Sequence, residues 1–293
     1  PSDLIIVAGR PGMGKTGFAL SLAKNAAQTH KKHVAIFSLE MGNDQLVQRL
    51  LAQQTGIDSQ RLRTGKLQDD EWALLTHAIE TLGDTRIFLD DTPGITPLQL
   101  RTKCRRLHLE FGLDLIIIDY LQLIEPDNSK DPRQEQVAKI ARRLKGLARE
   151  LEVPLLCLSQ LNRQAEDSKD HRPKLSHLRE SGAIEQDADV VMFIFREEYY
   201  NPDDEEARNR ATVIIGKQRN GPTGEFDLHF HKEFTRFSDL APAAQEAPPP
   251  GCLPRRPRSP RSTAPGSSTR TSSSSSSTSR GSRKTSKISR CRP

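Results

Sequence analysis

The stretch LIIVAGRPGMGKT, residues 4–16, joins a short apolar run to a glycine-rich segment, and a helical pattern follows it. Residues 9–16 fit the phosphate-loop template Gly-x-x-x-x-Gly-Lys-Ser/Thr at every position, between a predicted strand and a predicted helix. Glycines lack a Cβ, so main-chain N–H groups can approach a phosphate closely. The sequence therefore predicts nucleotide binding by Gly9, Arg10, Pro11, Gly12, Met13, Gly14, Lys15 and Thr16.

Two side chains of this segment have predicted roles of their own. Lys15 would reach the β- and γ-phosphates, and the Thr16 hydroxyl would bind Mg²⁺. The helix that begins near Lys15 would direct the positive end of its dipole at the anion. The alternative is a glycine-rich turn that fits the template by chance, but the strand and helix on either side favour a site for ATP and Mg²⁺.

Charge is distributed unevenly along the 293 residues. Residues 241–293 contain eleven of the 44 Lys and Arg residues and one of the 38 acidic residues, so residues 1–240 keep 33 basic and 37 acidic residues, a net charge of −4. The basic pI therefore describes the C-terminal segment, and it is no evidence for nucleic-acid binding by the rest of the chain.

The segment 241–293 is rich in Pro, Arg and Ser and has almost no large apolar residues. Such a composition cannot bury enough apolar surface to fold, so we expect a disordered tail after a folded domain at residues 1–240. The tail either contacts nucleic-acid phosphates or an acidic partner, or is a solvated segment with no specific role. Because Pro1 directly precedes the first strand, we also expect a longer natural protein.

The four cysteines have no paired spacing, and we expect free thiols in a reducing compartment and no zinc site. The sequence has no apolar stretch of the roughly 20 residues that cross a bilayer, and no signal peptide. We therefore expect a soluble, cytoplasmic protein with no membrane partner.

Short β-branched runs alternate with amphipathic segments, which predicts an α/β fold with a mostly parallel twisted sheet flanked by helices. In such sheets ligands bind at the carboxyl ends of the strands. Asp119 follows the run Leu115–Ile118 and would hold Mg²⁺ through water. Glu40 would activate the attacking water if its strand neighbours the first, and Gln160 would donate to the γ-phosphate. Each of these three could instead be an ordinary polar residue at a strand end, such as an N-cap.

Six segments, in this order, resemble the RecA-type ATPase domain of the DnaB family of bacterial replicative DNA helicases: GRPGMGKT, IFSLEM, LIIIDYLQL, SQLNRQ, LRESGAIEQDAD and GKQRNGPTG. The resemblance covers residues 1–240. It implies a homo-hexameric ring that hydrolyses ATP between subunits, moves 5′ to 3′ on single-stranded DNA and unwinds forked DNA. It also implies primase and helicase-loader partners and a location in the bacterial nucleoid or replisome.

The resemblance further implies roles for residues that the sequence alone does not single out. Lys217 and Arg219 would reach the neighbouring subunit's site, with Arg219 as the arginine finger. DNA phosphates would contact the segment 125–136 and the loop that contains Arg179, Glu180 and Gly182.

Two other functions fit the same pattern. A strand-exchange recombinase of the same fold would use aromatic DNA contacts, and these loops contain few aromatic residues. A non-hydrolysing ATP-binding loader or scaffold would not need the water-activating carboxylate of Glu40.

Overall fold

The computed structural model describes residues 1–127, 130–162, 171–178 and 182–240. Nine strands lie in this part of the chain: β1 Leu4–Gly9, β2 Val34–Ser38, β3 Ile87–Asp90, β4 Leu115–Asp119, β5 Leu155–Gln160, β6 Val190–Phe195, β7 Arg210–Gln218, β8 Gly224–His231 and β9 Arg236–Asp239. The helices of the same residues are α1 Lys15–Gln28, α2 Asn43–Thr55, α3 Ser59–Thr64, α4 Asp69–Gly83, α5 Pro97–Phe111, α6 Arg133–Leu151 and α7 Gly182–Asp187.

The strands form one sheet in the order β3-β2-β4-β5-β1-β6-β7-β8-β9. The six strands from β3 to β6 are parallel, and β7, β8 and β9 continue the sheet as antiparallel neighbours. The predicted fold class, a mostly parallel sheet flanked by helices, is confirmed. The carboxyl ends of the parallel strands meet at one edge, where ligands bind in such sheets.

The central strands are apolar on both sides because helices cover both faces of the sheet. In β4, Ile116 and Ile118 contact one hydrophobic cluster while Ile117 contacts the other, and all three are fully buried. Burying each such side chain stabilises the fold by roughly 1.5–3 kcal/mol. The buried thiols of Cys104 and Cys157 belong to the first of these clusters.

Residues at the helix starts illustrate how the helices are capped. Thr96 is the N-cap of α5, as part of a capping box with Gln99. In α2 the N-cap is Gly42, which provides no side-chain hydrogen bond, and Asn43 is the first helical residue. Leu22 of α1 and Val47 of α2 are apolar residues of amphipathic helices that the packing leaves partly exposed. Neither α3 nor β9 was predicted from the sequence, although Asp58 is the N-cap of α3 and Gly65 follows its last residue.

The hairpin formed by β8 and β9 packs tightly on the start of α1. A Cβ on Gly17 would lie 2.5 Å from the carbonyl oxygen of Thr235, in the turn of this hairpin. The fully buried Gln53 of α2 donates one amide hydrogen bond to the Gly17 carbonyl (3.1 Å) and one to the Thr235 carbonyl (3.0 Å). One side chain therefore joins α1, α2 and the hairpin.

Among the described residues, every helix is too short or too polar to span a lipid bilayer.

The close approach at Gly17 predicts opposite effects for two glycine-to-alanine substitutions. Gly17→Ala should destabilise the protein by about 1–3 kcal/mol, because the new Cβ pushes the hairpin away. Gly146→Ala, in α6, meets no atom within 4 Å and should stabilise the protein by up to about 1 kcal/mol through helix propensity. Urea unfolding of both variants measures these changes in the free energy of unfolding. Stabilisation by Gly17→Ala would contradict the prediction that a Cβ at this position pushes the hairpin away.

Candidate nucleotide-binding site

The loop between β1 and α1 has the backbone conformation that a phosphate loop needs. Gly12 and Gly14 have φ values of +82° and +92°, in the left-handed region that glycine adopts most easily. A Cβ on Gly14 would lie 3.0 Å from the ring of Phe237. The helix α1 begins at Lys15, so its N-terminal N–H groups point into the space beside the loop.

Lys15 lies folded over its own loop. Its Nζ donates to the carbonyl oxygens of Gly9 (2.9 Å) and Arg10 (3.1 Å). Burial lowers the pKa of Lys15, and the charges of Asp119 and Glu40 partly oppose this effect. The ammonium group is thus held beside the loop by neutral carbonyl oxygens, and an anionic oxygen would be a stronger acceptor.

Thr16 and Asp119 are joined across the sheet. The Thr16 hydroxyl donates to the Asp119 carboxylate at 2.7 Å, and Asp119 is 3% exposed at the end of β4. Burial raises the pKa of Asp119, and the charge of Glu40 adds to this increase while the Thr16 hydrogen bond opposes it. A hydroxyl and a carboxylate beside a phosphate loop are the hard oxygen donors that suit Mg²⁺, which completes its shell with water and phosphate oxygens.

Glu40 lies in the same cleft, although its strand is not a neighbour of β1. The predicted role of Glu40 was conditional on β2, which precedes it, lying next to β1, and this condition is not met because β4 and β5 lie between the two strands. The register pairs Ser38 of β2 with Asp119 of β4, and the Leu39 N–H donates to the Asp119 carbonyl oxygen at 2.6 Å. Glu40 therefore reaches the cleft because its strand lies next to β4.

Gln160 ends β5, which is the immediate neighbour of β1. Its carbonyl oxygen accepts from Gln122 Nε2 at 3.4 Å, and the same amide nitrogen lies 2.9 Å from Ser159 Oγ. Arg133 in turn donates to the Gln122 carbonyl oxygen. A line of contacts thus leads from the cleft to the segment 125–136, of which residues 128 and 129 are not described.

The cleft has a volume of about 690 Å³. It brings together four side chains that the sequence predicted, those of Lys15, Thr16, Glu40 and Gln160, with Asp119 hydrogen-bonded to Thr16 beneath them. Its other lining residues are Pro11, Gly12, Gly14, Met41, Gln45, Arg49, Arg196, Phe230, Lys232 and Thr235.

Three cationic residues that line the cleft were not predicted from the sequence: Arg49, Arg196 and Lys232. Arg49 lies on α2, and in the sequence it resembles the other polar residues of this amphipathic helix. Burial lowers the pKa of Arg49, and the negative charges of Asp119 and Glu40 oppose this decrease. Arg196 directly follows β6, so the strand-end rule that selected Asp119 and Gln160 would also have found it. Lys232 lies between β8 and β9, and β9 was not predicted.

Lys217 and Arg219 lie at the opposite edge of the sheet. Lys217 Nζ donates to the carbonyl oxygens of Glu185 and Ala188, and Arg219 Nη2 donates to that of Gln186 at 2.8 Å. These carbonyls belong to the end of α7 and the residue after it, next to the start of β6. The length of β1 separates this edge from the phosphate loop, about 17 Å at ~3.3 Å per residue, so these cations do not line their own chain's cleft.

The predicted DNA-contacting loop is only partly described. Arg179 and Glu180 lie outside the described residues, and Gly182 is the first residue of α7. The predictions for these residues therefore stay predictions, as does the boundary between residues 1–240 and 241–293.

The sequence matches a known protein family and several known proteins. The family model of the DnaB-like helicase C-terminal domain matches residues 1–239. The chain is similar to the replicative DNA helicase DnaB of Geobacillus stearothermophilus, with 53% identity over 85% of this chain and 55% of that protein. It is also similar to DnaB of Haemophilus influenzae, with 48% identity over 82% of this chain and 52% of that protein. The chain thus spans about half the length of these relatives.

Two solved structures have the same fold. One is an ATPase domain, with a TM-score of 0.79 and 39% identity over 82% of this chain and 85% of that chain. The other is a DnaB-like replicative helicase studied with its interactions with primase, with a TM-score of 0.79 and 39% identity over 82% of this chain and 58% of that chain. The resemblance inferred from the six sequence segments is confirmed.

The buried charge of Asp119 predicts a gain in stability when it is removed. A pKa raised above the ordinary 3.8 means that the folded protein loses stability as the pH rises through the raised value. Asp119→Asn should remove this loss and stabilise the nucleotide-free protein at neutral pH, by on the order of 1 kcal/mol. Thermal unfolding between acid and neutral pH measures it.

Asp114→Asn is the matched control. Burial raises the pKa of Asp114, but the His33 N–H and the Lys32 ammonium more than offset this, so the pKa lies below its ordinary value. The contribution of Asp114 is therefore present above pH ~4 and is lost as the pH falls. Its substitution should destabilise the neutral protein by less than about 1 kcal/mol. Shifts of the same sign in both variants would contradict this reading of Asp119.

Proposed function

We propose, since this chain belongs to the DnaB-like helicase C-terminal domain family, that it is the ATP-hydrolysing motor of a replicative DNA helicase. It would convert ATP hydrolysis into 5′-to-3′ movement along single-stranded DNA and thereby unwind duplex DNA at a fork. The observation that carries the proposal is the meeting of the phosphate loop, the Thr16–Asp119 oxygen pair and Glu40 at one edge of the sheet.

ATP would bind with its phosphates on the loop of residues 9–16. Lys15 would exchange the carbonyl oxygens of Gly9 and Arg10 for phosphate oxygens, which are better acceptors for an ammonium group. Thr16 and Asp119 would hold Mg²⁺, Asp119 through water, and the ion would neutralise negative charge on the β- and γ-phosphates. Binding the ion also offsets the cost of the buried Asp119 charge.

Glu40 would orient and deprotonate the water that attacks the γ-phosphate. The Glu40 side chain is exposed to solvent and lines the cleft. Both a water molecule and a phosphate can therefore reach its carboxylate. Gln160 would donate to the γ-phosphate and lose this contact after hydrolysis. Its neighbours Gln122 and Arg133 connect it to the segment 125–136, which we propose contacts DNA together with Arg179, Glu180 and Gly182.

The site would be completed by a second copy of the chain. Lys217 and Arg219 face away from their own cleft, and a head-to-tail arrangement would bring them to the cleft of a neighbour. Arg219 would then stabilise the charge that develops on the γ-phosphate during hydrolysis. Repetition of this contact would close a homo-hexameric ring around single-stranded DNA.

Partners and location follow from the family. One related structure concerns a DnaB-like helicase and its interactions with primase, and we propose primase and a helicase loader as partners of the whole protein in the bacterial replisome. The competing functions have less support. The water-accessible Glu40 argues against a non-hydrolysing scaffold, and the compared proteins are helicases, not recombinases.

Unwinding of forked DNA tests the proposed function. The protein should hydrolyse ATP faster with single-stranded DNA and displace a strand from a fork that carries a 5′ tail, but not from one with only a 3′ tail. Glu40→Gln should bind fluorescent ATP normally while turnover falls by about 100-fold or more. Glu80→Gln, on the surface of α4, is the control. Normal turnover by Glu40→Gln would remove Glu40 from its role.

Mixing two inactive variants tests the shared site. Arg219→Ala has an intact cleft, and Lys15→Ala has an intact arginine, so each alone should lack ATPase activity. In a ring with random mixing and independent sites, about a quarter of the interfaces combine both intact halves. The mixture should recover activity of this order, and no recovery at any mixing ratio would contradict completion of the site by a neighbour.

A further inference from the structure

Arg196 holds the phosphate loop from the side of β6. It follows the last residue of that strand, is 8% exposed and lines the cleft. Its Nη1 donates to the carbonyl oxygen of Gly12 at 3.1 Å. Arg196, at the end of β6, thus contacts the phosphate loop directly. The phosphate-loop template does not contain this residue, and the sequence predicted no role for it.

The guanidinium group is fixed on two further sides. Its central carbon lies 4.1 Å from the centre of the Phe230 ring, a cation–π contact. Its Nη2 lies 3.6 Å from the carboxylate of Glu198, which is itself buried and pairs with Lys232. An arginine with such contacts has little freedom to move, so it presents its N–H group to Gly12 in one direction.

Burying this cation has a cost. Its Nε is buried with no hydrogen-bond partner among the described residues, and burial lowers the pKa of Arg196 although Glu198 opposes the shift. A smaller apolar residue would fill the same place without this cost. Because burying Arg196 costs free energy, we infer that its contact with Gly12 serves a purpose other than stabilising the fold.

A second contact reaches the same glycine. The ring of Tyr199, three residues after Arg196, lies 3.3 Å from the place where a Cβ of Gly12 would be. Tyr199 is 56% exposed, so its packing does not depend on the core. The segment from Arg196 to Tyr199 therefore contacts Gly12 with both a hydrogen bond and a ring.

We propose that Arg196 is a positioning residue that sets the shape of the phosphate loop before nucleotide arrives, an inference that rests on the proposed binding of ATP. The peptide unit is planar and trans, so holding the Gly12 carbonyl also fixes the direction of the Met13 N–H. Within the described part of the chain, that N–H donates to the Arg10 carbonyl oxygen at a long distance, 3.3 Å. A loop already in its binding shape loses less entropy when phosphate binds.

Amide hydrogen exchange in the absence of nucleotide, combined with nucleotide titration, tests the proposal on the full chain. Arg196→Met should speed exchange in peptides that cover residues 10–16 and weaken binding of fluorescent ADP and ATP by about tenfold or more. Arg196→Lys keeps the charge and should recover part of the affinity. Arg210→Met, which removes an arginine paired with Asp227 outside the cleft, should change neither quantity.

Tyr199→Ala serves as a second variant, because this exposed side chain can be removed without disturbing the core. It should speed exchange in the same peptides, with a smaller loss of affinity than Arg196→Met. Weaker binding by Arg196→Met with unchanged exchange would overturn the proposal and make Arg196 a direct phosphate ligand. Unchanged binding and exchange in both variants would overturn it as well, whereas failure of the wild-type chain to bind ATP would instead refute the proposed function.

Discussion

The hydrogen bond from Thr16 to Asp119 decides how the site is built, because it joins the first turn of α1, directly after the phosphate loop, to the end of β4. One strand, β5, lies between them, and β2 lies on the far side of β4. The residues that follow these strands therefore converge on one cleft, although they are as far apart in the sequence as Glu40 and Gln160. The Asp119 carboxylate is buried at this contact, and a cation is the natural complement to a buried carboxylate.

The sequence predicted the parts of this site that obey local rules. A template fixes the phosphate loop, and continuous β-branched runs fix the strands that end in Asp119 and Gln160. The strand order could not be predicted in this way, because the residues near Glu40 carry no local signal that β2 lies beside β4 and not beside β1. Arg49 and Lys232 were missed for the same reason, because their positions depend on how α2 and the last hairpin pack. Val47 shows the converse, an apolar residue at core spacing that the packing leaves exposed.

The two edges of the parallel sheet carry different groups of the proposed shared active site. Phosphate-binding groups occupy the carboxyl edge, while Lys217 and Arg219 bind the carbonyls at the end of α7 near the amino edge. Asp189, at the start of β6, accepts hydrogen bonds from the Leu4 N–H and from Lys145 and lies 3.6 Å from Arg219. A chain with complementary groups at opposite edges favours heterologous association, in which each copy uses both surfaces.

Gln53 acts as a spacer of fixed length between the helices and the hairpin. Its two amide hydrogens reach the carbonyl oxygens of Gly17 and Thr235 at once, so this one side chain ties the start of α1 to the turn of the hairpin. Glutamate has the same length but no hydrogens to donate, and asparagine is one methylene too short to reach both oxygens. Thr235 also lines the cleft, so the position of one of its walls depends on a side chain whose pair of hydrogen bonds neither glutamate nor asparagine can reproduce.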